Sequence, residues 1–211
     1  MQKHGGIWLA LLLALLAAAV LAPVAAMASE PQEGVSINEE NFPDERFQEY
    51  VIRFDKDGDG SLSSEEIADV KEINVSGQYI SNLTGIEHFT ALGTLDCSEN
   101  QLTSLDVSKN TELDDLDCSE NQLTSLDVSK NTELTYLYCF NNQLTELDVS
   151  QNKALKTLDC SDNQLTELDV LRHTELGSLV CSNNQLTSLD VSQNTKLWSL
   201  NCSPPRQRGW E

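Results

Sequence analysis

From Ile73 onward, apolar residues return at one fixed interval. Leu95, Leu116, Leu137, Leu158, Leu179 and Leu200 stand 21 residues apart. Two residues after each comes a cysteine: Cys97, Cys118, Cys139, Cys160, Cys181 and Cys202. Asn100, Asn121, Asn142, Asn163 and Asn184 follow three residues behind the first five. A period of this size means a solenoid, in which each unit buries its apolar edge only by stacking on its neighbours. Each period is itself doubled. Leu113-x-x-Leu116-x-Cys118-Ser119-x-Asn121 is followed ten residues on by Leu123-x-x-Leu126-x-Val128-Ser129-x-Asn131. The Leu, Leu and Cys or Val positions should face inward. The Asn positions fall where the chain must turn, where a buried amide satisfies backbone groups that no strand reaches or bonds a stacked copy of itself. Ten residues leave no room for a helix, so both long sides of each coil are expected to be extended. Five full coils begin at Leu92, Leu113, Leu134, Leu155 and Leu176, and a sixth begins at Leu197 and stops after Ser203. A looser copy through Ile73, Val75, Ile80, Leu83 and Ile86 precedes them, as expected of a terminal unit that caps a stack.

Ahead of Ile73 the period is different. Phe47, Tyr50, Val51 and Phe54 follow helical spacing, which predicts a helix over 44–54 with Pro43 at its start. A second, short helix is expected over 64–72, carrying Ile67 and Val70. Residues 29–41 are polar and read as a linker with a short strand near Val35–Ile37. Residues 1–28 are not read as fold. Lys3, the apolar run Ile7–Ala22 and the small-x-small site Ala26-Met27-Ala28 form a secretory signal peptide. The run is short for a membrane span, so no membrane insertion is expected after cleavage. The expected organisation is a signal peptide at 1–28, a linker at 29–41, a helical cap at 42–72, the solenoid at 73–203 and an irregular tail at 204–211.

Between the two helices lies the stretch that carries metal chemistry: Asp55-Lys-Asp57-Gly-Asp59-Gly60-Ser61-Leu62-Ser63-Ser64-Glu65-Glu66. It fits the calcium loop of an EF-hand at every diagnostic position. Ca²⁺ is a hard ion that takes six to eight oxygens. Asp55, Asp57 and Asp59 alternate so that three carboxylates converge, and Gly60 permits the sharp turn. Ser61 offers its backbone carbonyl, Ser63 acts through water, and Glu66 closes the shell with both oxygens. Leu62 anchors the loop. EF-hands ordinarily pair, and only one is visible. Packing its helices on the first coil would satisfy the lone hand and cover the open edge of the solenoid, which favours a structural calcium over a signalling one.

Charge narrows the partners. The chain carries 13 basic and 34 acidic side chains, a formal net of −21. Cleavage of residues 1–28 removes Lys3 alone among them and leaves −22. Such a surface repels phosphate backbones, which excludes nucleic-acid binding. Six cysteines in a secreted chain would ordinarily imply three disulfides. Here their side chains should stack in parallel about 4.8 Å apart, which suits the disulfide torsion poorly. A buried column of free thiols is expected instead, without metal, because the column lacks histidine partners.

The Leu-x-x-Leu-x-Cys-x-x-Asn-x-Leu unit, read five times from Leu92, resembles the leucine-rich repeat in its short, nested bacterial form, with cysteine where leucine is more common. The segment Ile80-Ser-Asn-Leu-Thr-Gly-Ile-Glu resembles the capping repeats of internalin-type surface proteins. The resemblance implies a β-rich leucine-rich repeat solenoid of 21-residue coils, displayed on a bacterial surface or secreted, that binds an extracellular protein or glycan. One strand breaks the regularity. Outward positions on the cysteine-bearing side are small or acidic in most coils (Asp96, Asp117, Asp159; Ser98, Ser119, Ser161) but become Tyr136, Tyr138 and Phe140 in the third full repeat. Aromatic patches on a regular surface mark binding. The second half-strand carries an acidic column, Asp106, Asp127, Asp148, Asp169 and Asp190, which neighbouring Ser, Thr and backbone amides should absorb. His88 and His173 have no partners in a catalytic spacing, and no hydrolase, nucleotide or redox signature is present, so no enzymatic role is expected. The alternative is a non-catalytic targeting or spacer region of a longer, truncated surface protein or enzyme, suggested by the basic tail from Pro204.

Overall fold

The computed structural model describes residues 34–203. The expected signal peptide, the first part of the expected linker and the expected tail lie outside the described residues.

The chain first lays down β1 (Val35–Ser36), helix α1 (Glu45–Val51) with a 3₁₀ turn over Ile52–Phe54, β2 (Ser61–Leu62) and helix α2 (Ser64–Asp69). Seven three-residue strands follow, one per coil: β3 (Glu72–Asn74), β4 (Thr94–Asp96), β5 (Asp115–Asp117), β6 (Tyr136–Tyr138), β7 (Thr157–Asp159), β8 (Ser178–Val180) and β9 (Ser199–Asn201). They form one parallel sheet in sequence order. Leu95, Leu116, Leu137, Leu158, Leu179 and Leu200 sit directly beside one another across it. The 21-residue interval is therefore one turn of a leucine-rich repeat solenoid.

Most of the leucines and valines and five of the six cysteines form one continuous buried core. α2 ends at Asp69, three residues short of the expected limit, because Glu72 already pairs with Thr94 at the edge of the sheet.

Only one long side of each coil is a strand. The second half-repeat, expected to be extended, forms no ladder. Its regular link to the neighbouring coil is a single backbone bond, such as Gln122 N to Leu102 O and Gln143 N to Leu123 O. The reason is local. In each coil the aspartate of the second half accepts a nearby backbone amide, as Asp127 does from Ser129, and the asparagine folds back on the valine, as Asn131 N does on Val128 O. Side-chain acceptors and tight turns take the groups a ladder would need.

The asparagines hold the corners through backbone groups, not through one another. Nδ2 of Asn121 donates to Cys97 O, Cys118 O and Ser119 O, while its Oδ1 accepts from Leu102 N. One side chain thereby ties two coils together, and the pattern recurs from Asn100 to Asn184. A second column, Asn110, Asn131, Asn152 and Asn194, donates to carbonyls of the coil before it. His173 takes the fourth place in that column. Its Nε2–H donates to Val149 O, the one bond it makes where asparagine makes two.

All six cysteines are free thiols. Cys97, Cys118, Cys139, Cys160 and Cys181 are buried, but Cys202 is exposed. The expectation of six buried thiols is corrected at Cys202: among the described residues no coil stacks over β9. Burial pushes the inner thiols well up, and Cys181, nearer that edge, is pushed up to about 11 by desolvation and by the neighbouring Cys202.

The N-terminal helices pack on the first coil. Phe42 and Phe47 meet edge to face at 5.9 Å, and Phe54 meets Phe89 of the solenoid at 5.7 Å. Gly85, at φ 104°, leaves room for the Phe42 ring, which a Cβ there would strike. Asp44 caps α1 through Arg46 N and Phe47 N, and its other oxygen accepts from Ser81 N and the Ser81 hydroxyl. Tyr50 accepts from Asn74 N at 3.0 Å.

Candidate metal centre and candidate binding face

The acidic loop leaves the 3₁₀ turn at Asp55 and enters α2 at Ser63. Carboxylate oxygens of Asp55, Asp57 and Asp59 lie within 4.8 Å of one another, the one such grouping of potential metal ligands among the described residues. The loop wraps around Asp55, whose Oδ1 accepts from Gly58 N at 2.7 Å and whose Oδ2 accepts from Gly60 N at 2.9 Å. Gly58 and Gly60 adopt φ of 73° and 85°, a region that side-chain-bearing residues rarely occupy.

Of the other expected ligands, the Glu66 carboxylate lies outside this grouping, while Ser61 and Ser63, expected to act through a backbone carbonyl and through water, are placed by the elements on either side of the loop's end. Ser61 pairs with Ser36 in the small β1–β2 sheet. Ser63 is the N-cap of α2 and forms a reciprocal capping box with Glu66. Glu66 Oε2 accepts from Ser63 N and the Ser63 hydroxyl, and Oε1 accepts from Lys56 N at 2.6 Å. These bonds, from Ser63 first and Lys56 next, hold its carboxyl below the usual range. Glu66 thus links the loop's beginning to its end.

The trio fits a hard divalent cation. Its donors are all oxygens, and its charges are uncompensated. Asp57 receives an amide bond from Asp59, but desolvation and the Asp59 and Glu66 carboxylates outweigh it and push Asp57 up. Lys56, the nearest basic side chain in sequence, pairs with Asp69 instead, at 2.6 Å.

On the sheet face, Tyr136 and Tyr138 flank buried Leu137 on β6, and Phe140 follows just beyond the strand. All three are partly exposed. Tyr136 stands between Asp115 of β5 and Thr157 of β7, and Tyr138 between Asp117 and Asp159. The serines in the Phe140 column are not outward surface as expected. Ser98, Ser119 and Ser161 are buried, each hydroxyl donating to the aspartate two residues before it. Phe140 cannot make that contact and stays at the surface. Desolvation pushes Asp115 and Asp117 up, and neighbouring carboxylates push further in the same direction. Tyr138 is pushed up by desolvation, Asp115 and Asp117.

The acidic column of the second half-repeat is absorbed as expected. Asp106, Asp127, Asp148 and Asp190 accept backbone amides of Ser108, Ser129, Ser150 and Ser192, which hold them below the usual range.

Residues 132–173 match a family model for leucine-rich repeats in two copies. A stretch of 71 residues, 33% of the chain, is 43% identical to Internalin J of Listeria monocytogenes serotype 4b, strain F2365, and covers 8% of that protein. The functional domain of InlJ from Listeria monocytogenes, which includes a cysteine ladder, is 33% identical, with a TM-score of 0.56 over 83% of this chain and 49% of that one. Internalin C2 from the same species superposes with a TM-score of 0.60 at 18% identity, over 82% of this chain and 89% of that one, a likeness of fold. The chain thus spans a small part of Internalin J and about half of the InlJ domain.

Proposed function

We propose that this internalin-like leucine-rich repeat chain is a secreted or cell-surface binding module that recognises a partner through the face of β6. The observation that carries the reading is the interruption itself. Six of the seven strands lack outward aromatics, and one of the central strands presents Tyr136 and Tyr138 in a row, with Phe140 next to them. Outward aromatics gain nothing for the core, whereas buried aromatics carry much of the energy at protein interfaces. Secretion is supported by the N-terminal segment, and a surface role by the likeness to internalins. Among the described residues no helix is long and apolar enough to cross a membrane. The reading is non-catalytic.

Calcium belongs to the cap in this reading. Asp55, Asp57 and Asp59 would hold it with the Ser61 carbonyl, and Ser63 and Glu66 would complete the set. A bound ion supplies positive charge where three carboxylates meet. The chain's own residues do the rest: α1 and α2 cover the first coil, and β1 steadies the loop through β2. The role is structural and lies away from the binding face.

The test of the face is a triple serine substitution at 136, 138 and 140, which removes all three rings and leaves small polar side chains. Since these side chains point outward, the melting temperature should hold within a few degrees. Binding in a screen of extracellular proteins and glycans should be lost. Unchanged binding with an unchanged melting temperature would place recognition elsewhere and favour a spacer role.

A further inference from the structure

We infer that the β6 face receives a basic protein segment, with an arginine side chain lying over the Tyr138 ring between the carboxylates of Asp117 and Asp159. The inference rests on the binding-module reading and names the chemistry of the partner.

Charge complementarity selects the occupant. Asp117 and Asp159 stand beside Tyr138 in direct register, one on each side. Each spends Oδ1 on the hydroxyl and amide of the serine two residues on, at 2.5–3.0 Å. Their Oδ2 atoms make no hydrogen bond among the described residues, so each offers an acceptor beside the ring. Asp115, next to Tyr136, makes no side-chain hydrogen bond there at all. No basic group answers these charges: the two ion pairs among the described residues are Lys56–Asp69 and Lys196–Glu175, both elsewhere. The serine hydroxyls fix the aspartates before any partner arrives, which lowers the ordering cost of binding.

A guanidinium is the group that uses all of this. Its plane stacks on an aromatic face, and its five donors reach carboxylates on both sides. A neutral sugar would stack on the rings, yet it would leave three closely spaced carboxylates uncompensated. An ammonium would satisfy charge but could not both stack and fork. Phe140 and Tyr136 extend the apolar ground on either side for the partner's neighbouring residues.

The test is amide NMR of the folded chain titrated with acetyl-Gly-Arg-Gly-amide and with its lysine and citrulline counterparts. The arginine peptide should move the signals of residues 136–140, Asp117 and Asp159, and citrulline, the same shape without charge, should not. Tyr138→Ser should weaken arginine binding roughly fivefold, the scale of an exposed cation–π contact. Tyr138→Phe keeps the ring and should bind as the parent does. Equal shifts from citrulline would show that the charge is not recognised, and shifts spread evenly along the Asp106–Asp190 column would show diffuse attraction to an acidic surface; either overturns the inference. Shifts at 136–140 from soluble oligosaccharides but not from the arginine peptide would also overturn it, while leaving the face as a binding surface. Absence of any shift from the arginine peptide overturns the basic partner, and the triple serine variant then decides separately whether the face binds at all.

Discussion

Single residues set the corners of this solenoid, and one of their positions is strained. Glu99, Glu120, Asn141, Asp162 and Asn183 occupy equivalent places, all with φ between 52° and 55°. Asn and Asp tolerate this left-handed region; glutamate does so at a cost of about 1–2 kcal/mol. Glu120→Gly should therefore raise stability by roughly 0.5 kcal/mol, after the added freedom of the unfolded chain is allowed for. Denaturant unfolding measures it, and Asp162→Gly should gain less. The sequence held a signal for this strain, since three of the five residues are Asn or Asp at the x of Ser-x-Asn or its equivalent. The two glutamates hid it. The inward leucines and corner asparagines were legible because burial and turning are periodic. The pairing of Asp with Ser across two residues was not, because whether a serine faces water or an aspartate depends on a side-chain rotamer that periodicity does not encode. Asp44 also acts at this scale. Burial raises it, but amide bonds from Ser81, Phe47 and Arg46 and the Ser81 hydroxyl outweigh that and hold it below its ordinary value. A carboxyl lowered by folding adds stability that is complete above its unfolded pKa of about 4 and is lost as pH falls through the folded value. Asp44→Asn should thus lower the melting temperature at pH 7, and the gap from the parent should close in strong acid.

Among the elements, the small β1–β2 pair matters beyond its four residues. Val35 faces Leu62 and Ser36 faces Ser61, so the acidic loop is braced from outside by a strand that precedes both helices. A short strand near Val35 was legible from its apolar pair; its partner was not, because antiparallel pairing across the long stretch from Ser36 to Ser61 leaves no local trace. The brace supplies the neighbour that a lone loop of this type lacks. If the loop takes calcium, the ion should raise the melting temperature by mass action. Asp57→Asn should remove most of that shift while leaving the EDTA melting temperature near the parent's. Glu66→Gln should do both, losing the shift and lowering the EDTA value, since its single amide oxygen can keep the capping box with Ser63 N or the bond from Lys56 N but not both. Equal calcium shifts in all three proteins would show that the carboxylates hold no ion.

At the scale of the whole molecule, each coil touches mainly its two neighbours, so stability is close to a sum over coils and interfaces. The exposed Cys202 is the visible end of that sum within residues 34–203. Alkylation of the native chain should label Cys202 quickly and the other five only after denaturation without reductant. Disulfides in the intact chain would contradict the free-thiol column.

The thiol column also bears on what happens after unfolding. While the coils are stacked, oxidants cannot reach the five inner sulfurs, and their raised pKa values keep them protonated and inert. Once opened, the chain releases five ordinary thiols at regular intervals, free to cross-link in combinations that no coil can accommodate. Heating in air should then be a one-way process, whereas the same melt under reductant should retrace itself on cooling. The interval that makes the chain easy to fold would make a single excursion in an oxidising medium permanent.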